Sequence, residues 1–333
     1  MIRLVALSAT VVAAAPGAAW GAGGDLWTAG WTADTVRFEP LTKGPAGLTV
    51  AGTGTYRGVI EVRRNGGALA VGNDLALEEY VRGIDEVPPS WPAAALQAQA
   101  IAARTYAAHK VVTGDARWRA VGADICATPT CQVYRGLDAE RRAAGHGWLS
   151  AVEATAGRAL LAGGQPIMAS YSSTANGPQA MSQNGALAMA TEGRSSAEIL
   201  EAYYGIRPTA AANRLPGTIK VALVMSAGQV RVSSPTGFRV VNGTGAELAV
   251  APAGEWRVEP ARSGVRLVPP DSYARPETPP ADMVATPATA VRRAGRVITA
   301  SATSPGPAPW PVAAALVAVV GGATITLGRR RRA

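Results

Sequence analysis

The chain has 333 residues, 48% hydrophobic and 17% charged, enough apolar material to bury a core and to exclude a wholly disordered protein. Its formal charge is +9, but four of the positive charges stand together at Arg329, Arg330, Arg331 and Arg332. The remaining excess is modest and no nucleic-acid motif accompanies it, so nucleic acid is excluded as a partner and a mildly basic surface facing anionic envelope polymers is expected.

At the start of the chain, Arg3 precedes an apolar run from Leu4 to Ala15 and the small residues Ala18, Ala19, Gly21 and Ala22. This is the layout of a secretory signal over 1–22, with an uncut short anchor as the other reading. From Thr35 to Val81 the pattern is β-rich, and Asn65-Gly66-Gly67 between Tyr56–Val62 and Ala68–Leu75 predicts a hairpin. The period then changes. Ser90-Trp91-Pro92 opens a helix, Ser90 as its cap and Pro92 in the first turn, with Leu96, Ala100, Ala103 and Ala107 as a buried stripe reaching about His109.

Cys126 and Cys131 form a close pair. In an exported protein a disulfide is expected; a metal site would need two further ligands when the histidines are only His109 and His146, and free thiols are the third reading. Further on, a helix is expected over Leu149–Ala156, strands over Arg158–Leu161 and Pro166–Tyr171 around Gly163-Gly164, and a helix over Ser195–Tyr204 ending at Gly205. Short strands follow: Lys220–Val224, Val230–Ser233, Phe238–Val241, Leu248–Val250, Trp256–Val258 and Val265–Val268. They predict a small all-β module over 217–269, packed beside the first domain.

Residues 270–308 are rich in Pro, Ala, Thr and Ser, without periodicity, and are expected to form a disordered stalk. The apolar run Val312–Leu327, extended to 309–328, has the length of a membrane span, with Trp310 at one interface and the arginines of 329–333 on the cytoplasmic side. The body is then exported and anchored on the extracytoplasmic side of the cell membrane.

For chemistry, the residues hold no metal cluster, no phosphate-binding Gly loop and no supported Ser–His–Asp triad, and no cofactor is expected. The informative stretch is Glu78 to Pro92, where Glu86 stands before Val87-Pro88-Pro89 and near Trp91. A carboxyl there can be partly desolvated, which raises its pKa toward the range of a general acid; a solvated loop glutamate is the plainer alternative.

Glu79-Tyr80-Val81-Arg82-Gly83, Glu86-Val87-Pro88, Ser90-Trp91-Pro92 and Ala98–Ala107 resemble the SpoIID/LytB family of peptidoglycan lytic transglycosylases. The resemblance continues through Gln132-Val133-Tyr134, Val152–Gly157, Tyr171-Ser172-Ser173, Met181-Ser182-Gln183 and Ile199–Gly205, covering 23–206 as one domain. It implies a mixed α+β fold with a glycan cleft, Glu86 as catalytic acid and Arg104 as its supporting arginine. It also implies substrate contacts from Tyr134, Tyr171, Ser172, Ser173, Ser182 and Gln183. Glu86 would protonate the oxygen leaving between N-acetylmuramic acid and N-acetylglucosamine while the muramic 6-hydroxyl attacks C1, so a second carboxylate is not required. Arg104 could instead serve a structural salt bridge. The partner implied is the peptidoglycan glycan strand, with a cell-wall enzyme as a further one.

The family pattern is not complete. About ten residues separate Tyr171 from Met181 where relatives carry a long segment, Ala175-Asn176-Gly177 replaces a glycine pair, and Asn184 replaces an aromatic. This leaves a second function open: a weakly active or inactive member that binds glycan strands or a partner protein.

Overall fold

The computed structural model describes residues 35–270, apart from 43, 176, 178, 244, 246, 263 and 269. The expected signal, stalk, membrane helix and arginine tail lie outside the described residues. Among the described residues no helix is long and apolar enough to cross a membrane.

The chain opens with strands β1 (Thr35–Pro40), β2 (Leu48–Val50), β3 (Gly54–Tyr56), β4 (Val59–Asn65) and β5 (Ala68–Ala76). The β4–β5 hairpin closes as expected: Asn65 pairs with Ala68 across Gly66-Gly67, and Gly66 takes the left-handed conformation at φ +61°. A long excursion follows before the sheet resumes. It comprises α1 (Leu77–Arg82), α2 (Ala93–Thr113), α3 (Ala116–Arg119), β6 (Ile125–Cys126), α4 (Leu137–Ala143), α5 (Gly147–Ala154), β7 (Arg158–Ala159), β8 (Leu161–Ala162), β9 (Gln165–Pro166), β10 (Ser170–Ser172), β11 (Ala180–Ser182), α6 (Gln183–Thr191), α7 (Ser196–Tyr204) and β12 (Thr209–Ala210). The chain then returns as β13 (Thr218–Ala227), β14 (Val230–Ser234), β15 (Phe238–Asn242), β16 (Glu247–Ala251), β17 (Gly254–Ala261) and β18 (Gly264–Val268).

The fold is mixed α+β. Its larger sheet has the order β16-β15-β1-β4-β5-β13-β6 and its second sheet the order β18-β17-β14-β2-β3. The strands after residue 217 therefore do not form a separate module. β13 pairs with β5, β15 with β1 and β14 with β2, so both ends of the described chain complete the same two sheets. The physical reason is edge satisfaction: β1 and β2 alone would leave backbone donors and acceptors unpaired, and the late strands supply them. Phe38 and Phe238 meet edge to face at 5.2 Å, and Phe238 packs on Trp256 at 6.1 Å, inside one hydrophobic core.

Helix α2 starts at Ala93, one residue after Pro92, and Ser90 does not cap it. It runs past His109 to Thr113, and its burial is two-sided, not one-sided as expected. Leu96, Ala100, Ala107 and Ala108 pack into the core beside the sheets, whereas Ala98, Ile101 and Ala102 join Leu160, Met181, Ile199 and Leu200 in a second core. Alanines give both neighbours close access. The expected helix over 195–204 forms as α7, with Ser195 and Glu198 in a reciprocal capping box and Gly205 left-handed at its end.

Candidate functional site

Every residue singled out for chemistry lies in the excursion between β5 and β13. The short helix α1 sends its side chains to different places: Tyr80 into the core, Glu78 to Arg104, and Arg82 Nε to Glu140 Oε2 at 3.2 Å. It ends at Gly83, whose N–H donates to the Tyr80 carbonyl at 3.0 Å. A Cβ at Gly83 would stand 2.6 Å from the Tyr134 ring and 2.8 Å from Gly136 Cα, so only glycine allows the next contact.

That contact is a short antiparallel ladder. Ile84 bridges to Tyr134, Asp85 N–H donates to the Val133 carbonyl at 2.9 Å, and Arg135 N–H donates to the Gly83 carbonyl at 2.9 Å. At its end the Val133 N–H donates to Glu86 Oε1 at 2.5 Å. Glu86 thus has a fixed carboxyl in a shallow cleft of about 440 Å³, lined by Asp85, Val87, Pro88, Pro89 and Arg142.

Burial pushes the Glu86 carboxyl above the ordinary carboxylate range; the Val133 N–H pulls it back, and the neighbouring Asp85 charge raises it further. Asp85 Oδ2 is itself held by Arg142 at 2.6 Å and Arg135 at 3.2 Å. Tyr80, Tyr106 and Tyr171 lie within electrostatic reach of Glu86: burial first, and the Glu86 charge further down, lift their hydroxyls. Buried Gln132 ties two of them together, accepting from Tyr80 Oη at 2.8 Å and donating to Tyr171 Oη at 2.7 Å.

Arg104 does not meet Glu86 in this arrangement. It is 0% exposed and donates from Nε and Nη2 to the two Glu78 oxygens, both at 2.8 Å, with further bonds to the carbonyls of Arg158 and Val152 at 3.3 Å. Glu78 also accepts from Gly157 N–H at 3.0 Å, so Arg104 is the centre of a structural knot joining α1, α2 and α5. Tyr134 is likewise core: it is 3% exposed, stacks on Tyr80 at 4.9 Å and Tyr56 at 5.8 Å, and donates to Asn73 at 2.8 Å.

Ser172, Ser173, Ser182 and Gln183 gather where β10 and β11 run parallel. Ser172 and Ser173 are exposed; Ser182 caps α6 by accepting from Gly185 N–H at 3.1 Å. Gln183 is buried and reaches Gln99 Oε1 at 3.5 Å. None of these four is among the described residues lining the Glu86 cleft. Cys126 and Cys131 are joined as a disulfide, with Cα atoms 5.5 Å apart. No group of three or more metal-ligating side chains occurs among the described residues.

Sequence reasoning missed the Val133 N–H, the Asp85–Arg142–Arg135 cluster and Gln132 as supports of the cleft. A backbone donor leaves no side-chain signal, and Arg142 stands in no motif. Elsewhere a larger hollow, about 680 Å³, opens beside β1, β4 and β5, but its arginines Arg37 and Arg57 are engaged by Asp74 and Glu140 and it does not include Glu86. The cleft with a desolvated carboxyl is the better candidate.

One half-buried acid, set by a backbone ladder over an open cleft in a mixed α+β domain, defines the class of site. Residues 65–161 match the family model described as SpoIID, Stage II sporulation protein, which supports a SpoIID assignment for that segment. The matched segment contains Glu86, Arg104, Cys126, Cys131 and Tyr134 and ends before Tyr171. The Stage II sporulation protein D of Bacillus subtilis is 34% identical over 113 residues, 31% of this chain and 33% of that protein. That of Bacillus amyloliquefaciens matches to the same extent, 34% over 113 residues. An uncharacterized protein of Brachyspira hyodysenteriae is 35% identical over 94 residues, 28% of this chain and 24% of its own length. The chain thus aligns with a third or less of the length of these relatives.

Proposed function

We propose that this protein is a lytic transglycosylase of peptidoglycan glycan strands with Glu86 as its general acid and base. The observation that carries the reading is the position of Glu86: a carboxyl raised by burial, fixed by the Val133 N–H, and open to a cleft inside the segment that matches the family. Glu86 gives its proton to the glycosidic oxygen as the C1–O bond breaks. Its carboxylate then takes the proton of the muramic 6-hydroxyl as that oxygen bonds to C1, so the acid is regenerated and no water is consumed. Incubation with purified strands lacking stem peptides should release 1,6-anhydro ends visible by mass spectrometry; intact strands at the end of the reaction would refute the assignment.

A second reading is favoured by the direct parallel pairing of Tyr171 with Met181, which leaves only a short run of chain between β10 and β11, and by the open, shallow form of the Glu86 cleft. On that reading the protein binds glycan strands or a partner without cleaving. Unchanged strands that nevertheless coprecipitate with the protein would select it.

The body is proposed to work on the extracytoplasmic side of the cell membrane, tethered by 309–328, a reading supported by the apolar run and its arginine flank. A cysteine introduced at Thr286 should react with an impermeant reagent in intact cells, while one appended after Ala333 should not. The reverse labelling sinks the tether.

A further inference from the structure

The disulfide lies directly against the support of Glu86. Its first half, Cys126, belongs to β6, which pairs with β13 through Ile125–Val221 and Cys126–Ala222, and Ala127 N–H adds a bond to the Ala222 carbonyl at 3.2 Å. Between the cysteines the chain turns through exposed Thr128, Pro129 and Thr130, Cys131 N–H donating to the Thr128 carbonyl at 2.9 Å. Beyond Cys131 the next three residues are the ones on which the cleft depends. Gln132 holds Tyr80 and Tyr171 and donates to the Ala103 carbonyl at 3.2 Å; Val133 donates to Glu86; Tyr134 N–H closes the turn on the Ala127 carbonyl at 3.3 Å.

One arm of this turn is fixed to the large sheet and the other carries the donor to Glu86. The S–S bond cross-links them directly, in addition to the backbone of the turn, and Cys131 is partly exposed, within reach of a reductant.

We propose that the Cys126–Cys131 disulfide is a positioning clamp for Glu86, so that the carboxyl is held in its working place in the oxidised protein and released when the bond is reduced. As a statement about activity it rests on the lytic reading of Glu86; as a statement about geometry it does not. Reduction by a dithiol breaks the S–S bond, leaves two thiols on the protein and converts the dithiol to its own disulfide. The freed turn gains chain entropy, and the Val133 N–H no longer meets Glu86 at a fixed distance. Asp85 on the same segment, Arg142 on α4, Tyr80 on α1, Tyr106 on α2 and Tyr171 on β10 also face Glu86, and none of them changes charge on reduction.

The test is the titration of the Glu86 side chain, followed by carbon-13 NMR in full-length protein with labelled glutamate and assigned with Glu86→Gln. Losing a donor to the carboxylate should move the midpoint to higher pH on reduction, reversibly on reoxidation, and C126S/C131S should behave like the reduced protein. Turnover in the reduced state should fall about tenfold or more, the cost of a misplaced catalytic group. If the double variant does not fold, reduced and oxidised wild type at one temperature make the comparison alone. A midpoint unmoved by reduction overturns the clamp, even if anhydro ends are released. A midpoint that moves while neither state cleaves strands keeps the clamp and removes the lytic reading.

Discussion

Replacing Glu86 by Gln should leave the affinity for glycan strands nearly unchanged and lower turnover about 10²- to 10⁴-fold, the usual contribution of a general acid. The amide has almost the same shape and can still accept from the Val133 N–H, so the ladder of 83–86 with 133–135 should persist. What it lacks is the proton. The pH dependence follows from the same group: the acid must be protonated to work, so turnover is present below its pKa and lost as pH rises through it. Because burial raises that pKa, the declining limb should lie above the range of a solvent-exposed glutamate. Wild-type turnover in the variant would remove Glu86 from the mechanism.

The second large effect concerns stability. Glu78→Ala should destabilise the fold by about 3 kcal/mol, because it leaves the charge of the buried Arg104 guanidinium without its carboxylate, held only by the carbonyls of Arg158 and Val152. The lower end of the range for broken buried pairs applies, since the Glu78 side chain is 40% exposed. Arg104→Met, which removes the charge and keeps much of the stem's packing, should cost less than Glu78→Ala. Denaturant melts compare the two directly. If Arg104→Met melts like wild type yet loses turnover as severely as Glu86→Gln, then Arg104 acts in the cleft and the knot with Glu78 is not its main role.

That outcome bears on how far the sequence could be read. Arg104 stands eight residues after Leu96 and next to Ala103 of the expected stripe of α2, and it is buried. Its partner was not legible, because Glu78 and Glu86 share one short run and spacing alone does not tell which folds back over the helix. Turn chemistry was legible where glycine is demanded, as at Gly66 in the β4–β5 hairpin and at Gly205, which ends α7 in the left-handed conformation. Strands after 217 were legible as strands, since alternation reports which face is buried. It says nothing about neighbours, so the pairing of β13 with β5 and β15 with β1 could not be foreseen. The two-sided burial of α2 escaped for a related reason: a run of alanines carries little contrast between faces. Tyr134 stood in a matching motif and was expected on the substrate, but its ring completes the stack with Tyr80 and Tyr56.

The central claim is that a single carboxyl, Glu86, drives an intramolecular displacement at C1. Cleavage of glycan strands in water enriched in oxygen-18 tests it most directly. The account predicts new ends that are 1,6-anhydro and carry no heavy oxygen, formed by wild type and not by Glu86→Gln. Reducing ends carrying oxygen-18 would mean that water attacks C1, and would contradict it.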